Sequence, residues 1–117
     1  MSNQETKIQQ EIRLALGRIK NLRLFRNETG QLPDPRTDRW VQFGLAKGSS
    51  DLIGFKTIEI TQDMVGSSVA QFVSIEVKTQ KGKPTEVQKN WLQCIKSAGG
   101  ISGIARSIED AKKILDL

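Results

Sequence analysis

The chain has 117 residues, 37% of them hydrophobic, enough for one modest core and one domain. Its 18 Lys and Arg against 13 Asp and Glu give a formal net charge of +5, with a pI near 9.6, which suits a polyanionic partner. One cysteine, Cys94, excludes an intrachain disulfide and a multi-cysteine zinc site, and the absence of histidine excludes Ser-His-Asp triads, Cys-His pairs and imidazole-bound metals.

No stretch approaches the roughly 20 apolar residues that span a bilayer. The polar run Met1 to Gln10 lacks the apolar centre of a secretory signal, so an intracellular location is expected. Residues 4–20 are predicted as a helix, with Ile8, Ile12, Ala15, Leu16 and Ile19 on one apolar stripe. The short mixed run 22–27 reads as a strand. Residues 28–40, with Gly30, Pro33 and Pro35, read as an exposed loop, and 41–45 as a short strand. Gly48-Ser49-Ser50-Asp51 is a turn leading into a strand over 52–60. After a connection, 69–78 gives the strongest strand pattern. Val69, Val73, Ile75 and Val77 take one face; Phe72, Ser74, Glu76 and Lys78 take the other.

Lys81-Gly82-Lys83-Pro84 ends that strand, and Thr85 and Gln88 stand at capping-box spacing before a helix. Val87, Trp91, Cys94, Ile95 and Ala98 form its apolar stripe, and Gly99-Gly100 closes it. A buried strand over 101–106 follows. Ser107 and Asp110 then open a short last helix carrying Ala111, Ile114 and Leu115. The expected fold class is α/β, a mixed sheet flanked by helices.

Asp51, Glu76 and Lys78 are the residues that suggest chemistry. On a strand, Glu76 and Lys78 share a side, roughly 7 Å apart. If strands 52–60 and 69–78 pair, a register exists that brings Asp51 close to Glu76. Two close carboxylates repel each other unless a cation lies between them, and a nearby lysine lowers that cost. Without histidine, the ligands are oxygens, which favours Mg²⁺ or Mn²⁺. Such a set suits phosphodiester hydrolysis: the metal activates water and the ammonium stabilises developing charge. The plain alternatives are an exposed Glu-Lys ion pair worth little and an ordinary turn aspartate.

A longer run of motifs resembles the VRR-NUC branch of the PD-(D/E)xK nuclease superfamily. It comprises Gln10-Glu11-Ile12-Arg13 on the first helix, Gly48-Ser49-Ser50-Asp51-Leu52-Ile53-Gly54, and Ile75-Glu76-Val77-Lys78-Thr79. It continues with Gly82-Lys83-Pro84-Thr85, Gln88-Lys89-Asn90-Trp91-Leu92, and Gly99-Gly100 ahead of Ala105-Arg106-Ser107. The residue before Asp51 is Ser50 rather than proline, at a position that varies among such nucleases. The resemblance implies a restriction-endonuclease-like core in the order α-β-β-β-α-β.

It further implies Asp51 and Glu76 as metal ligands, with the Val77 carbonyl and Glu11 joining them. Lys78 would position or activate the attacking water, and Gln88 would stand beside the site from the second helix. As a capping-box partner of Thr85, Gln88 is already explained, and Glu11 also fits an exposed helix glutamate. Lys81, Lys83, Arg13 and Lys89 are candidates for DNA phosphates. Arg18, Lys20, Arg23 and Arg26 add charge nearby, while Arg36, Arg39 and Trp40 could engage a strand or partner subunit, or Trp40 the core. The implied activity is an Mg²⁺- or Mn²⁺-dependent endonuclease acting as a homodimer on branched DNA, four-way (Holliday) junctions included. A bacterial or phage-infected cytoplasm is the expected setting. Alternatives are a flap or nicking nuclease, a non-catalytic DNA-binding module, and an adaptor whose basic surface is incidental.

Overall fold

In the computed structural model, residues 3–117 are described, and Met1 and Ser2, the start of the polar N-terminal run, lie outside them. The described residues form α1 (Asn3–Leu16), β1 (Leu22–Arg26), β2 (Gly30–Pro33), β3 (Trp40–Phe43), β4 (Leu52–Lys56), β5 (Val73–Val77), α2 (Glu86–Ser97), β6 (Ile101–Ala105) and α3 (Ile108–Ile114). The chain divides into two compact units, one ending at Lys56 and one starting at Thr57. No helix among the described residues is long and apolar enough to cross a membrane.

In the first unit α1 stops before the end of its predicted range. Gly17 to Lys20 form turns, and the Ile19 amide donates to the Leu16 carbonyl at 3.1 Å. Glycine weakens a helix at that point, and Asn21 takes a left-handed φ of +67°, which asparagine tolerates. β1 and β4 pair antiparallel with Leu24 opposite Gly54. A Cβ on Gly54 would fall 1.8 Å from the Arg23 carbonyl oxygen, so the ladder closes only over glycine. The 28–40 segment, expected as a loop, supplies β2 and the tip of a β2–β3 hairpin, Leu32 facing Val41 and Pro33 facing Trp40. Pro33 sits at the end of the ladder, where its missing N–H is tolerated. The tip closes through the Asp34 amide on the Arg39 carbonyl at 2.7 Å. Trp40 is 69% exposed and takes no part in the core.

In the second unit β5 and β6 pair in parallel, Ser74 opposite Ser102 and Glu76 opposite Ile104. Parallel neighbours need a crossover, and α2 supplies it. Its start is the capping box expected from Thr85 and Gln88. The Gln88 amide donates to Thr85 Oγ1 at 3.1 Å and the Thr85 amide to Gln88 Oε1 at 2.9 Å. Gly99, with φ of +100°, ends the helix. The buried stripe is rotated from the expected one: Leu92 and Ile95 are buried, Val87 is 79% exposed, and Cys94 is exposed.

The rotation follows from what α2 covers. Trp91 Nε1 donates to Ser74 Oγ at 2.8 Å, and the buried Ser102 Oγ donates to the Leu92 carbonyl at 2.6 Å. The two serines are ladder partners and share one sheet face, so α2 lies on that face. α3 takes the other, where a Cβ on Gly103 would meet Ile114 Cδ1 at 2.8 Å. β6 is thus held between two helices, with Ala105 buried. Before Val73, the Thr61 hydroxyl and the Asp63 backbone N–H hold the Asp63 carboxyl below its usual range.

The chain is α/β with mixed pairing as expected: among the described residues the strands form two antiparallel ladders, β1–β4 and β2–β3, and the parallel β5–β6 ladder. β4 therefore pairs with β1 rather than with the 69–78 strand, which is itself trimmed to Val73–Val77. The order carries more strands before α2 than expected, because residues 30–43 fold as a hairpin. Gly54→Ala is expected to lower stability by about 2–3 kcal/mol, read as a fall in the urea midpoint at unchanged slope.

Candidate active site

Asp51 stands immediately before β4, on a loop wound around one asparagine. The Asn27 amide donates to the Asp51 carbonyl at 2.8 Å. Asn27 Nδ2 donates to Ser49 Oγ at 2.7 Å and to the Ser50 carbonyl at 2.9 Å, and Asn27 Oδ1 accepts from the Leu45 amide at 3.2 Å. The Ser49 hydroxyl turns back to the Ala46 carbonyl at 2.6 Å. Every polar atom of the Asn27 side chain is spent on holding residues 45–51, and the Asp51 side chain is left exposed at the end of them. The turn residues 48–51 are visible in the sequence. The asparagine that holds them is not, because nothing local connects position 27 to position 49.

Asp51 opens onto two grooves of its own unit. One, of about 310 Å³, is lined by Glu5, Ile8, Gln9, Ile12, Asp51 and Leu52. The other, of about 460 Å³, includes Gln9, Arg26, Asn27 and Phe43 with Asp51. Residues 5, 8, 9 and 12 form one face of α1, and Gln9 on it is buried. Glu11 lies off this face, is exposed, and lines neither groove. The α1 carboxylate that lines a groove with Asp51 is Glu5. The signal was present: Glu5 shares the helical spacing of Ile8 and Ile12.

Glu76, Lys78 and Gln88 belong to the second unit. Glu76 and Lys78 sit on the β5 face under α2, both half-buried. On the opposite face Ile75 is half-buried as well. Val73 and Val77 are 43% and 74% exposed, while Phe72, Ser74, Glu76 and Lys78 are half-buried. Among the described residues neither Glu76 nor Lys78 makes an ion pair or side-chain hydrogen bond, so the ordinary exposed Glu-Lys pair is not what this motif forms.

Gln88 lies one turn before Trp91, whose indole marks Ser74. α2 runs back against β5, so Gln88 lies toward the Glu76 end of the strand from Trp91. Its Oε1 serves the cap; its Nε2 does not. The backbone completes the set. The Phe72 carbonyl accepts from the Ile101 amide at 2.8 Å, and the Lys78 amide donates to the Ala105 carbonyl at 3.1 Å. Alternation along a parallel ladder then turns the Val77 carbonyl to the edge away from β6.

The candidate basic residues differ in how free their charge is. Lys81 and Lys83 are exposed on either side of Gly82. Lys89 pairs with Glu86 at 3.3 Å. Arg13 lines a separate groove with Gln10, Leu14, Gly17 and Leu24. Arg26 pairs with Glu28, and Arg36 with Asp34 at 3.6 Å.

Within each unit, among the described residues, no three acidic or cysteine side chains gather as a ready cage for a metal. The donor types nevertheless fit a hard cation: Glu5 and Asp51 in one unit, Glu76 and the Val77 carbonyl in the other, all oxygens. A half-buried carboxylate that makes no ion pair among the described residues is also a group whose burial a bound cation offsets.

The family model of the VRR-NUC domain matches residues 3–109. No curated protein and no solved structure matches the chain. Asn27→Ala is expected to cost about 1–2 kcal/mol and to speed amide hydrogen exchange at Leu45 and Ser49 above that of β1.

Proposed function

We propose that this chain, which belongs to the VRR-NUC domain family, is a divalent-metal-dependent DNA endonuclease with Asp51, Glu76 and Lys78 at its catalytic centre. The family makes it a nuclease domain, and the match runs through both compact units. We read the whole as a restriction-endonuclease-like core. The observation that carries the reading is the state of Glu76 and Lys78, half-buried on one strand face and unpaired among the described residues. A structural role would pair them. A catalytic role keeps the carboxylate for a cation and the ammonium for water or phosphate.

When bound, Mg²⁺ or Mn²⁺ supplies Lewis acidity at the phosphoryl oxygen and lowers the pKa of water. Asp51 and Glu76 would be its anionic ligands and the Val77 carbonyl a neutral one. Glu5 takes the α1 position first given to Glu11, on the ground that it lines the Asp51 groove. Lys78 orients the attacking water and stabilises charge that develops on the phosphoryl oxygens. Gln88, with its carbonyl oxygen engaged in the cap, offers its Nε2 hydrogens to the phosphate or the water. Lys81 and Lys83 grip the strand, while Arg13 and Lys89 extend the basic surface.

The finer reading is junction selectivity. A two-fold dimer presents two centres to a two-fold four-way junction, and each centre cuts one strand. The exposed Leu32, Val41 and Phe43 on one face of the β2–β3 hairpin are the apolar surface for such a dimer contact.

Purified protein with four-way, flapped and linear DNA, in Mn²⁺, Mg²⁺ or EDTA, tests this. Cutting is expected with metal only, strongest on the four-way junction, and reduced by at least about 100-fold in Asp51→Asn and in Lys78→Ala. Cutting that survives either substitution removes the assigned centre. Binding without cutting makes the chain a DNA-binding module, and equal cutting of flaps and nicks removes the junction preference. A strict monomer on sizing leaves paired incision without a basis. Gln88→Glu keeps the cap acceptor, so its melting temperature should match wild type while kcat falls; an unchanged kcat reduces Gln88 to its capping role.

A further inference from the structure

Lys78 is followed by a tight turn, in which the Gly82 amide donates to the Thr79 carbonyl at 3.1 Å and to Thr79 Oγ1 at 3.2 Å. Arg106, the first residue after β6, reaches across to it. One guanidinium nitrogen, Nη1, donates to the carbonyls of Thr79, Gln80 at 3.4 Å and Gly82 at 2.6 Å. Gln80 Nε2 returns a bond to the Arg106 carbonyl at 3.4 Å. Arg106 is half-buried and, among the described residues, has no carboxylate at ion-pair distance. Among the described residues, three carbonyl oxygens are the acceptors of its side chain.

Arginine ordinarily spends its fork on a carboxylate or phosphate. Here it is spent on a turn, and the effect is on what the turn shows to a ligand. Backbone carbonyls repel phosphate, whereas amides and ammonium groups attract it. Arg106 draws three of the turn's carbonyls onto itself. The amides of Gln80, Lys81 and Lys83 have no protein acceptor among the described residues, and the Lys81 and Lys83 side chains are exposed. With those three carbonyls engaged, the turn offers the Gln80, Lys81 and Lys83 amides and the Lys81 and Lys83 ammonium groups.

Resting on the endonuclease reading, we infer that Arg106 is a positioning residue that makes residues 79–83 a phosphodiester-binding turn, gripping a phosphate adjacent to the scissile one that Lys78 serves. Arg106 does not touch the DNA; it acts by holding the carbonyls inward and Lys81 and Lys83 in place.

The experiment is the anisotropy of a fluorescent duplex in EDTA, titrated across salt concentration. Each phosphate contact adds roughly 0.9 to the slope of log K against log salt, so losing the Lys81 and Lys83 contacts removes about two. Arg106→Gln should lower the slope as far as the Lys81→Ala/Lys83→Ala double variant does, and should change nothing further in that background. Arg106→Lys puts an ammonium where Nη1 stands and should recover most of the affinity. With metal present, the loss in Arg106→Gln should fall on KM and spare kcat.

Wild-type slope and affinity in Arg106→Gln overturn the inference. So does an equal further loss in the double-variant background, which would mean that Arg106 meets DNA itself. Loss in Arg106→Lys as deep as in Arg106→Gln also overturns it. The side-chain changes spare the Arg106 amide bond to Asp110 Oδ2, at 2.9 Å, and with it the β6–α3 junction; Arg106→Lys carries the comparison in the variant nearest to wild type. Wild-type protein that binds but never cuts sinks the endonuclease reading, while the measurements in EDTA still decide the role of Arg106.

Discussion

Strands that run parallel cannot be joined by a tight turn, and this constraint organises the β5–β6 unit. The connection must climb over one face of the ladder, and here it does so as α2. The face it covers carries Ser74 and Ser102, each hydrogen-bonded to the helix above it. Glu76 and Lys78 follow Ser74 along the same face, so the crossover that makes the sheet possible also half-buries them. It also sets Gln88 over the same end of β5. A carboxylate and an ammonium share the strand face that one helix has to cross.

The segments that carry the proposed ligands are held by hydrogen bonds to backbone rather than by ion pairs. Neutral Asn27 takes four partners around the Asp51 loop, using its amide, Nδ2 and Oδ1. Arg106 is charged, but its acceptors are peptide carbonyls. Neither device neutralises an acidic or basic side chain of the proposed centre. The ion pairs found among the described residues, such as Lys89–Glu86 and Lys112–Glu109, lie on exposed helix surfaces, where they are worth little.

Much of this was legible in the residues, and the failures have physical causes. The Thr85–Gln88 box, the Gly99 stop and the β6 strand follow from local rules and stand in the structure as expected. Alternation along 69–78 put Glu76 and Lys78 on one face but did not say which face is covered. Which face is covered was decided by α2, through serine and tryptophan hydrogen bonds that hydropathy does not weigh. The α2 stripe was misphased for the same reason: Val87 and Cys94 were counted, Leu92 was not. Prolines at 33 and 35 suggested a loop where the chain makes a hairpin end and tip, since a ladder's last residue needs no N–H. Asn27 and Arg106 act across more than twenty residues of sequence, and such contacts have no local signature. Glu5 shares the helical period of Ile8 and Ile12, the residues that line the groove with it.

The capping box has a consequence beyond marking where α2 begins. Both of its hydrogen bonds close within the protein, with no ligand involved. The first turn of the helix, and the amide group of Gln88 with it, is therefore ordered in the free chain. The rotamer entropy of a glutamine, about 1.5–2 kcal/mol when fully frozen, is lost during folding instead of during encounter with a substrate. A side chain prearranged in this way meets its ligand without searching, so differences in affinity among ligands at this end of β5 should reflect their shape and charge more than the flexibility of the protein.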